Sequence, residues 1–445
     1  MLDLEQYQIT GSTAREIAAS AEAAIRDGRL DTGAPLPTVR ALASRLGTSP
    51  ATVNAAYRIL RQRGLVLGEG RRGTRVAARP PLRTPSHHRP EAHGLHDLAV
   101  GMPDPALLPA LGPALARIDL PVTTQLDGLE IADPRLLELA RKGFAADGVD
   151  VGGIAVVGGA FDGIERVLGA HLRPGDRVII EDPAYVSIRD LLLALGLVAV
   201  PVPVDDLGLI PERLAEALAK GAQAAVIVPR AQNPVGAAFD DRRADELRRL
   251  LEPHPELLIV EDDHAGIVSG APFLSLTKPG RPHWAVIRSV SKFLHPDLRL
   301  AVMAGDETTI ARVEGRQALG PRWSSHVLQA IVVELVLDPG FPALIARARE
   351  AYAARRRGMV EALAAQGIQA HGNSGLNVWV PVREEAATVR ALQEAGWLVL
   401  AGERFRIATP PGIRITVTTL LPGEDQAIAA ALAAVEHAGR PRRVY

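Results

Sequence analysis

The 445-residue sequence predicts an α/β protein of two domains. A winged helix-turn-helix is expected over residues 1–78 and a linker over 79–93. A large domain over 94–445 follows, with a mostly parallel central sheet and a small C-terminal α+β lobe. Three observations lead there. Short amphipathic helical segments end in a hairpin-like pair of β runs before residue 78. A stretch rich in Pro, Arg and His comes next, and beyond it apolar strand-like runs alternate with helical segments. Such alternation marks a parallel sheet covered by helices.

Composition narrows the class. Hydrophobic residues make up 47%, charged residues 23%, and the formal net charge is −1, as in ordinary soluble globular proteins. No apolar stretch is long enough to span a bilayer and the first residues lack a signal-peptide layout, so cytoplasmic residence is expected. The absence of cysteine excludes disulfides, thiolate metal sites and thiol catalysis. Charge is uneven, however: between Arg40 and Arg75 stand eight arginines and one acid, Glu69. A local basic cluster points to a polyanionic partner.

In the N-terminal part, Thr13 and Glu16 form a capping-box pattern that opens a helix burying Ile17, Ala21 and Ala24. Leu36-Pro37 breaks the chain. Val39, Leu42, Ala43 and Leu46 then follow at helical spacing up to Gly47. Ser49 is placed to cap a third helix with Pro50 in its first turn. That helix turns Val53, Tyr57 and Leu60 inward and Thr52, Asn54, Arg58 and Arg61 outward. Leu65–Leu67 and Thr74–Ala77 read as two short strands around the tip. In such a motif the recognition helix enters the major groove and the wing meets the backbone or minor groove. The expected DNA contacts are Arg40, Ser49, Thr52, Asn54, Arg58, Arg71, Arg72, Gly73 and Thr74, with Arg75 adding to the wing. The run from Leu36 to Thr74 resembles the winged helix of the GntR family. One position departs from it. The family usually carries an arginine just after the Ser or Thr that opens the recognition helix, and this chain has Pro50, which leaves the operator sequence open.

Strands of the large domain are expected at 154–157, 177–180, 198–202, 224–228, 257–260, 285–289 and 300–304, with 377–380 and 412–417 in the C-terminal lobe. Six pieces of this domain carry chemistry. Ser289-Val290-Ser291-Lys292 follows a strand, with Arg299 seven residues after the lysine. The chain has only four lysines, and Lys142, Lys220 and Lys278 lie in polar helices or a Pro-Gly turn, so Lys292 is the candidate by elimination. Gly158-Gly159-Ala160-Phe161 opens a helix after a strand, where free N–H groups cradle phosphate, although such turns are often merely tight. Tyr185 offers a ring to stack on, or simply core packing, and Asn233 offers an amide in an Asn-Pro turn. Glu261-Asp262-Asp263-His264 ends an apolar run and offers a buried carboxylate. A metal site there lacks a second ligand cluster at suitable spacing. Arg414, on a C-terminal strand, suits a carboxylate.

The order of these pieces resembles the fold-type I pyridoxal 5′-phosphate (PLP) enzymes of the aspartate aminotransferase superfamily. With the GntR-like domain in front, the whole chain resembles the MocR subfamily of transcription regulators. The resemblance implies Lys292 as Schiff-base lysine, Asp262 rather than Asp263 on the ring nitrogen, Tyr185 stacked on the ring and Asn233 on the phenolate. It gives the phosphate to Gly159, Ala160, Phe161, Ser289 and Arg299, and a ligand carboxylate to Arg414. It also implies a homodimer, a double-stranded DNA operator and an amine or amino acid effector that exchanges onto the cofactor at Lys292. Three departures stand out. His264 replaces the usual tyrosine while keeping a possible donor to the phenolate, Phe161-Asp162 replaces a glutamine-rich turn, and no tyrosine appears near Gln125–Gly128. They favour a regulator over the alternative of an active aminotransferase with a vestigial or autoregulatory winged helix.

Overall fold

A computed structural model describes residues 9–26, 29–31, 33–62, 65–68, 73–77, 94–118 and 131–438. Arg71 and Arg72, the expected linker and the Gln125–Gly128 segment lie outside the described residues. The chain divides into two compact units, one holding residues 1–89, 173–177 and 187–199, the other the remainder.

The first unit contains α1 (Ala14–Arg26), α2 (Val39–Leu46), α3 (Pro50–Gln62), β1 (Val66–Gly68) and β2 (Thr74–Val76). Glu16 reaches back to the N–H groups of Ser12 (2.9 Å) and Thr13 (3.3 Å), while its own N–H donates to Thr13 Oγ1, which closes the expected capping box. Thr38 caps α2 and Gly47 ends it at φ 62°, a conformation that favours glycine. Ser49 Oγ accepts the Thr52 N–H at 3.1 Å and so caps α3 in front of Pro50. Ile17, Ala21, Leu42, Val53, Tyr57 and Leu60 form one apolar core. Tyr57 keeps its hydroxyl satisfied in that core by donating to Pro37 O at 2.7 Å. The hairpin is antiparallel with Val66 opposite Val76, and Leu65 lies just before its first strand. A bridge from Pro35 to Arg75 brings the preceding chain alongside it.

From residue 94 onward the chain runs through β3 (His96–Asp97), α4 (Leu111–Leu115), α5 (Pro134–Ala146), β4 (Gly153–Val157), α6 (Ala160–His171), β5 (Arg177–Asp182), α7 (Val186–Ala194), β6 (Val198–Asp205) and β7 (Gly208–Leu209), of which α7 beyond Val186 belongs to the first unit. There follow α8 (Pro211–Ala219), β8 (Ala224–Ile227), α9 (Asp241–Leu251), β9 (Leu258–Asp263), β10 (Trp284–Ser289), β11 (Ala301–Gly305) and α10 (Glu307–Ala318). The chain closes with α11 (His326–Val336), α12 (Phe341–Ala365), β12 (Asn377–Pro381), α13 (Glu385–Glu394), β13 (Trp397–Leu398), β14 (Leu400–Ala401), β15 (Gly412–Thr416) and α14 (Glu424–Ala438). Eight strands make one sheet in the order β4-β11-β10-β9-β8-β5-β6-β7. Neighbours from β10 through β5 are parallel, whereas β11 runs antiparallel to both β10 and β4. Strands β8 through β11 are buried at every position, which explains why they read as unbroken apolar runs rather than alternating ones. The C-terminal lobe carries an antiparallel sheet, β12-β15-β14, over a core that includes Met359, Leu363, Val378, Ile413, Ile415 and Leu432. Among the described residues no single helix is long and apolar enough to cross a membrane.

Candidate functional site

Strands β4, β5, β8, β9 and β10 point their carboxyl ends to the same edge of the sheet, where parallel α/β folds place their ligands. There the chain sets Gly159 after β4, Tyr185 after β5, Asn233 after β8, Asp262 to His264 at the end of β9, and Ser289 to Lys292 at the end of β10.

The three adjacent acids differ in their partners. Glu261 accepts from Ser275 Oγ (2.5 Å) and Leu276 N (2.6 Å). Asp263 is gripped by Arg230 through two bonds of 2.8 Å and by Arg288 Nε at 2.6 Å. Burial works against that charge, but Arg288 and Arg230 hold the Asp263 carboxyl below the usual carboxylate range. Arg288 is shared with Asp147 at 2.5 Å, so this is a buried ionic network. Asp262 receives none of it. Its Oδ1 is buried with no hydrogen-bond partner among the described residues, and burial, then the charge of Asp263, pushes its carboxyl up to about 7. A buried, partnerless acceptor calls for a donor, and a ring N–H is one. The three acids therefore face three different surroundings.

Lys292 is largely buried. Burial, with the charges of Arg414 and Arg299, lowers its ammonium to about 8, and Nζ donates to Gly101 O. Arg299 adopts a left-handed backbone (φ 44°) and brings its guanidinium over Gly159, where a Cβ would stand 3.3 Å from Nη2. Gly159 (φ 107°) opens α6 with no side-chain cap, which leaves the first-turn N–H groups free for an anion. Asp162 takes the Gly158 N–H at 2.8 Å and pairs with Arg166, so its charge is already engaged. Ser289 Oγ lies 2.8 Å from Ser291 Oγ. Tyr185, 41% exposed, meets Phe161 edge to face at 5.5 Å.

Arg414 sits in the middle of β15, buried, with its guanidinium 5.0 Å above the Phe405 ring. Burial lowers it to about 10. Its Nη1 donates to Asn233 Oδ1 at 3.1 Å, so the Asn233 amide N–H groups face elsewhere and remain free to donate. Its Nη2 donates to Ala99 O. The span carrying Ala99 and Gly101 is tied at both ends. Leu98 pairs with the chain at Leu398 and Thr416, and Asp104 is bound by Tyr352 Oη (3.0 Å) and Arg355 (2.9 Å).

His264 is hydrogen-bonded to the main chain. Its Nε2 lies 2.8 Å from Ala231 O, and a carbonyl can only accept, so Nε2 carries the proton. Burial, then Lys292, lowers its pKa to about 4, which keeps the ring neutral. In that state the one ring N–H is directed to Ala231 O.

Sequence reasoning missed Arg230, Arg288, Asp147 and the carbonyls of Ala99 and Gly101. An arginine inside the otherwise apolar β10 was the one visible signal. A separate cavity of about 330 Å³, lined in part by Lys278, Arg281 and Asp306, holds none of the expected residues.

Three buried carboxyls, Glu181 (about 8), Glu261 (about 7) and Asp262 (about 7), are raised by burial. Between the unfolded values near 4 and these folded values the native chain binds more protons than the unfolded one. Their contribution to stability is complete at low pH and is lost as pH rises towards 7–8. Asp262→Asn removes one of the three. In protein prepared without cofactor, the pH dependence of the urea midpoint between pH 5 and 7.5 should become shallower by about one proton. An unchanged slope would show that Asp262 is not the raised group.

A model of the aminotransferase class I and II family matches residues 136–432, and one of the bacterial regulatory proteins, gntR family, matches residues 13–76. The vitamin B6 salvage pathway transcriptional repressor PtsJ of Salmonella typhimurium is 40% identical over 428 residues, covering 95% of this chain and 98% of that protein. The HTH-type transcriptional regulator TauR of Rhodobacter capsulatus is 30% identical over 397 residues, 79% of each chain. Among solved structures, a kynurenine aminotransferase of Pyrococcus horikoshii shares the fold with TM-score 0.69 at 22% identity, over 78% of this chain and 92% of that one.

Proposed function

Because the chain belongs to the aminotransferase class I and II family and carries a gntR-family domain in front, the arrangement of MocR-type transcription regulators, we propose that this DNA-binding regulator holds PLP and reads a small ligand through it. The observation that carries the reading is the buried, partnerless Asp262 Oδ1 in the same site as Lys292 and Arg299. PLP supplies an aldehyde for a primary amine and a pyridine ring that draws electrons when its nitrogen is protonated. Lys292 is the amine that holds it, and Asp262 keeps the ring nitrogen protonated. The free N–H groups of Gly159, Ala160 and Phe161, with Ser289 and Arg299, bind the phosphate. Tyr185 covers the ring, and the Asn233 amide donates to the phenolate.

The effector is a primary amine or amino acid whose carboxylate Arg414 receives. A second reading comes from the PtsJ relative, whose name places it in vitamin B6 salvage: here the cofactor is itself the signal. A homodimer presents two winged helices to paired half-sites, and Ile131, Leu319 and Val327 are exposed apolar side chains that such an interface can cover.

The test uses the full chain on a DNA fragment that it selects from a random pool. Its affinity is measured alone, with PLP, and with PLP plus a panel of amines and amino acids. A change with PLP alone supports the second reading, and a change that needs an amino compound supports the first. Constant affinity, together with turnover of an amino acid and a 2-oxo acid, would establish the aminotransferase instead.

A further inference from the structure

The His264 ring cannot easily exchange its two nitrogens. Its acceptor, Ala231 O, belongs to a residue held at φ 54°, whose N–H donates to Ser374 Oγ at 2.7 Å. Gly375 closes on the same residue: a Cβ at Gly375 would meet Ala231 Cβ at 2.5 Å. The carbonyl is thus fixed in direction, and a flipped ring would leave it buried and unpaired. The charged groups acting on the ring are Lys292 after β10, Arg414 from β15 and Asp263 on its own strand, with the two cations opposing protonation. A neutral ring with its proton on Nε2 has only a lone pair at Nδ1.

We propose that His264 is an acceptor-only positioning residue. It withholds the hydrogen bond that a tyrosine hydroxyl would give the cofactor's phenolate, and so keeps the proton on Lys292 Nζ to higher pH. This rests on the PLP reading. The chemistry is that of competing partners for one oxygen. A phenolate that has lost its neighbouring N–H proton is more basic and gains more from an external donor, so a donor favours release of that proton. Asn233 supplies one donor through its free amide hydrogens; at position 264 the chain supplies none.

Two measurements test it. In cofactor-free full chain, ¹⁵N NMR of the histidine rings should show His264 with Nε2 protonated and Nδ1 bare at neutral pH, assigned by its loss in His264→Phe. A proton on Nδ1 overturns the proposal whether or not PLP binds. In the PLP-loaded chain, the pH midpoint of the visible band reports the proton on Lys292 Nζ. His264→Tyr should lower that midpoint by about one unit or more, a tenfold change in proton affinity, and His264→Phe should leave it within about half a unit. A rise of about one unit in His264→Phe would show that the histidine donates after all, and an unmoved midpoint in His264→Tyr would show that this position does not act on the lysine. Absence of any band in the wild type defeats the PLP reading instead, and is told apart by the NMR result.

Discussion

The Lys292→Ala protein is expected to show no visible band near ~420 nm when mixed with PLP, while the wild type does. The loss should be complete, because no other lysine reaches the site. Lys142 is exposed on α5 and pairs with Glu138, Lys278 lines the separate cavity, and Lys220 ends α8. The wild-type band should also form faster as pH rises. Only the neutral amine attacks an aldehyde, and with the ammonium lowered to about 8 its neutral fraction grows roughly tenfold per pH unit below that value. Far-UV circular dichroism checks that the variant is folded. A band retained in Lys292→Ala would move the attachment elsewhere, and no band in either protein would leave an aminotransferase-like fold without the cofactor.

The second large effect is on DNA. Arg40 and Arg58 are exposed, Arg58 on the face of α3 opposite Val53, Tyr57 and Leu60. Replacing both with alanine should weaken operator binding on the order of 10–100-fold at low salt. The salt slope should fall by about 1 for each phosphate that is no longer neutralised. Arg75 makes a poorer test, because its guanidinium donates to Gly33 O at 2.9 Å and its removal disturbs the unit itself. Unchanged affinity and slope in the double variant would place the DNA on another surface.

Much of the fold was legible because it rests on local patterns. The caps at Thr13 and Ser49 and the apolar runs of β4, β8, β9, β10 and β11 are written in adjacent residues, and the observed elements follow them within a few positions. Lys292 was reachable by elimination among only four lysines. What stayed hidden depends on partners that arrive from afar. The resemblance pointed to Asp262 over Asp263, but the physical reason, Arg288 and Arg230, stands 25 and 33 residues from Asp263 and is brought beside it by the sheet. The state of His264 is decided by the direction of one carbonyl, and the Ala99 and Gly101 acceptors are main chain, which no residue type announces.

If Arg414 receives a ligand carboxylate as proposed, the Ala99 carbonyl enters the balance. Arg414 Nη2 is engaged with Ala99 O on a span tied at both ends and Nη1 with Asn233 Oδ1, whereas its buried Nε has no hydrogen-bond partner among the described residues, so an arriving carboxylate would meet a guanidinium partly engaged and partly unmet. Binding at Nη2 would exchange one acceptor for another, while binding at Nε would fill an unmet buried donor. An ionised carboxylate gains, since a charge-assisted hydrogen bond is roughly twice as strong as a neutral one. An ester or amide of the same shape offers only a neutral oxygen and gains less.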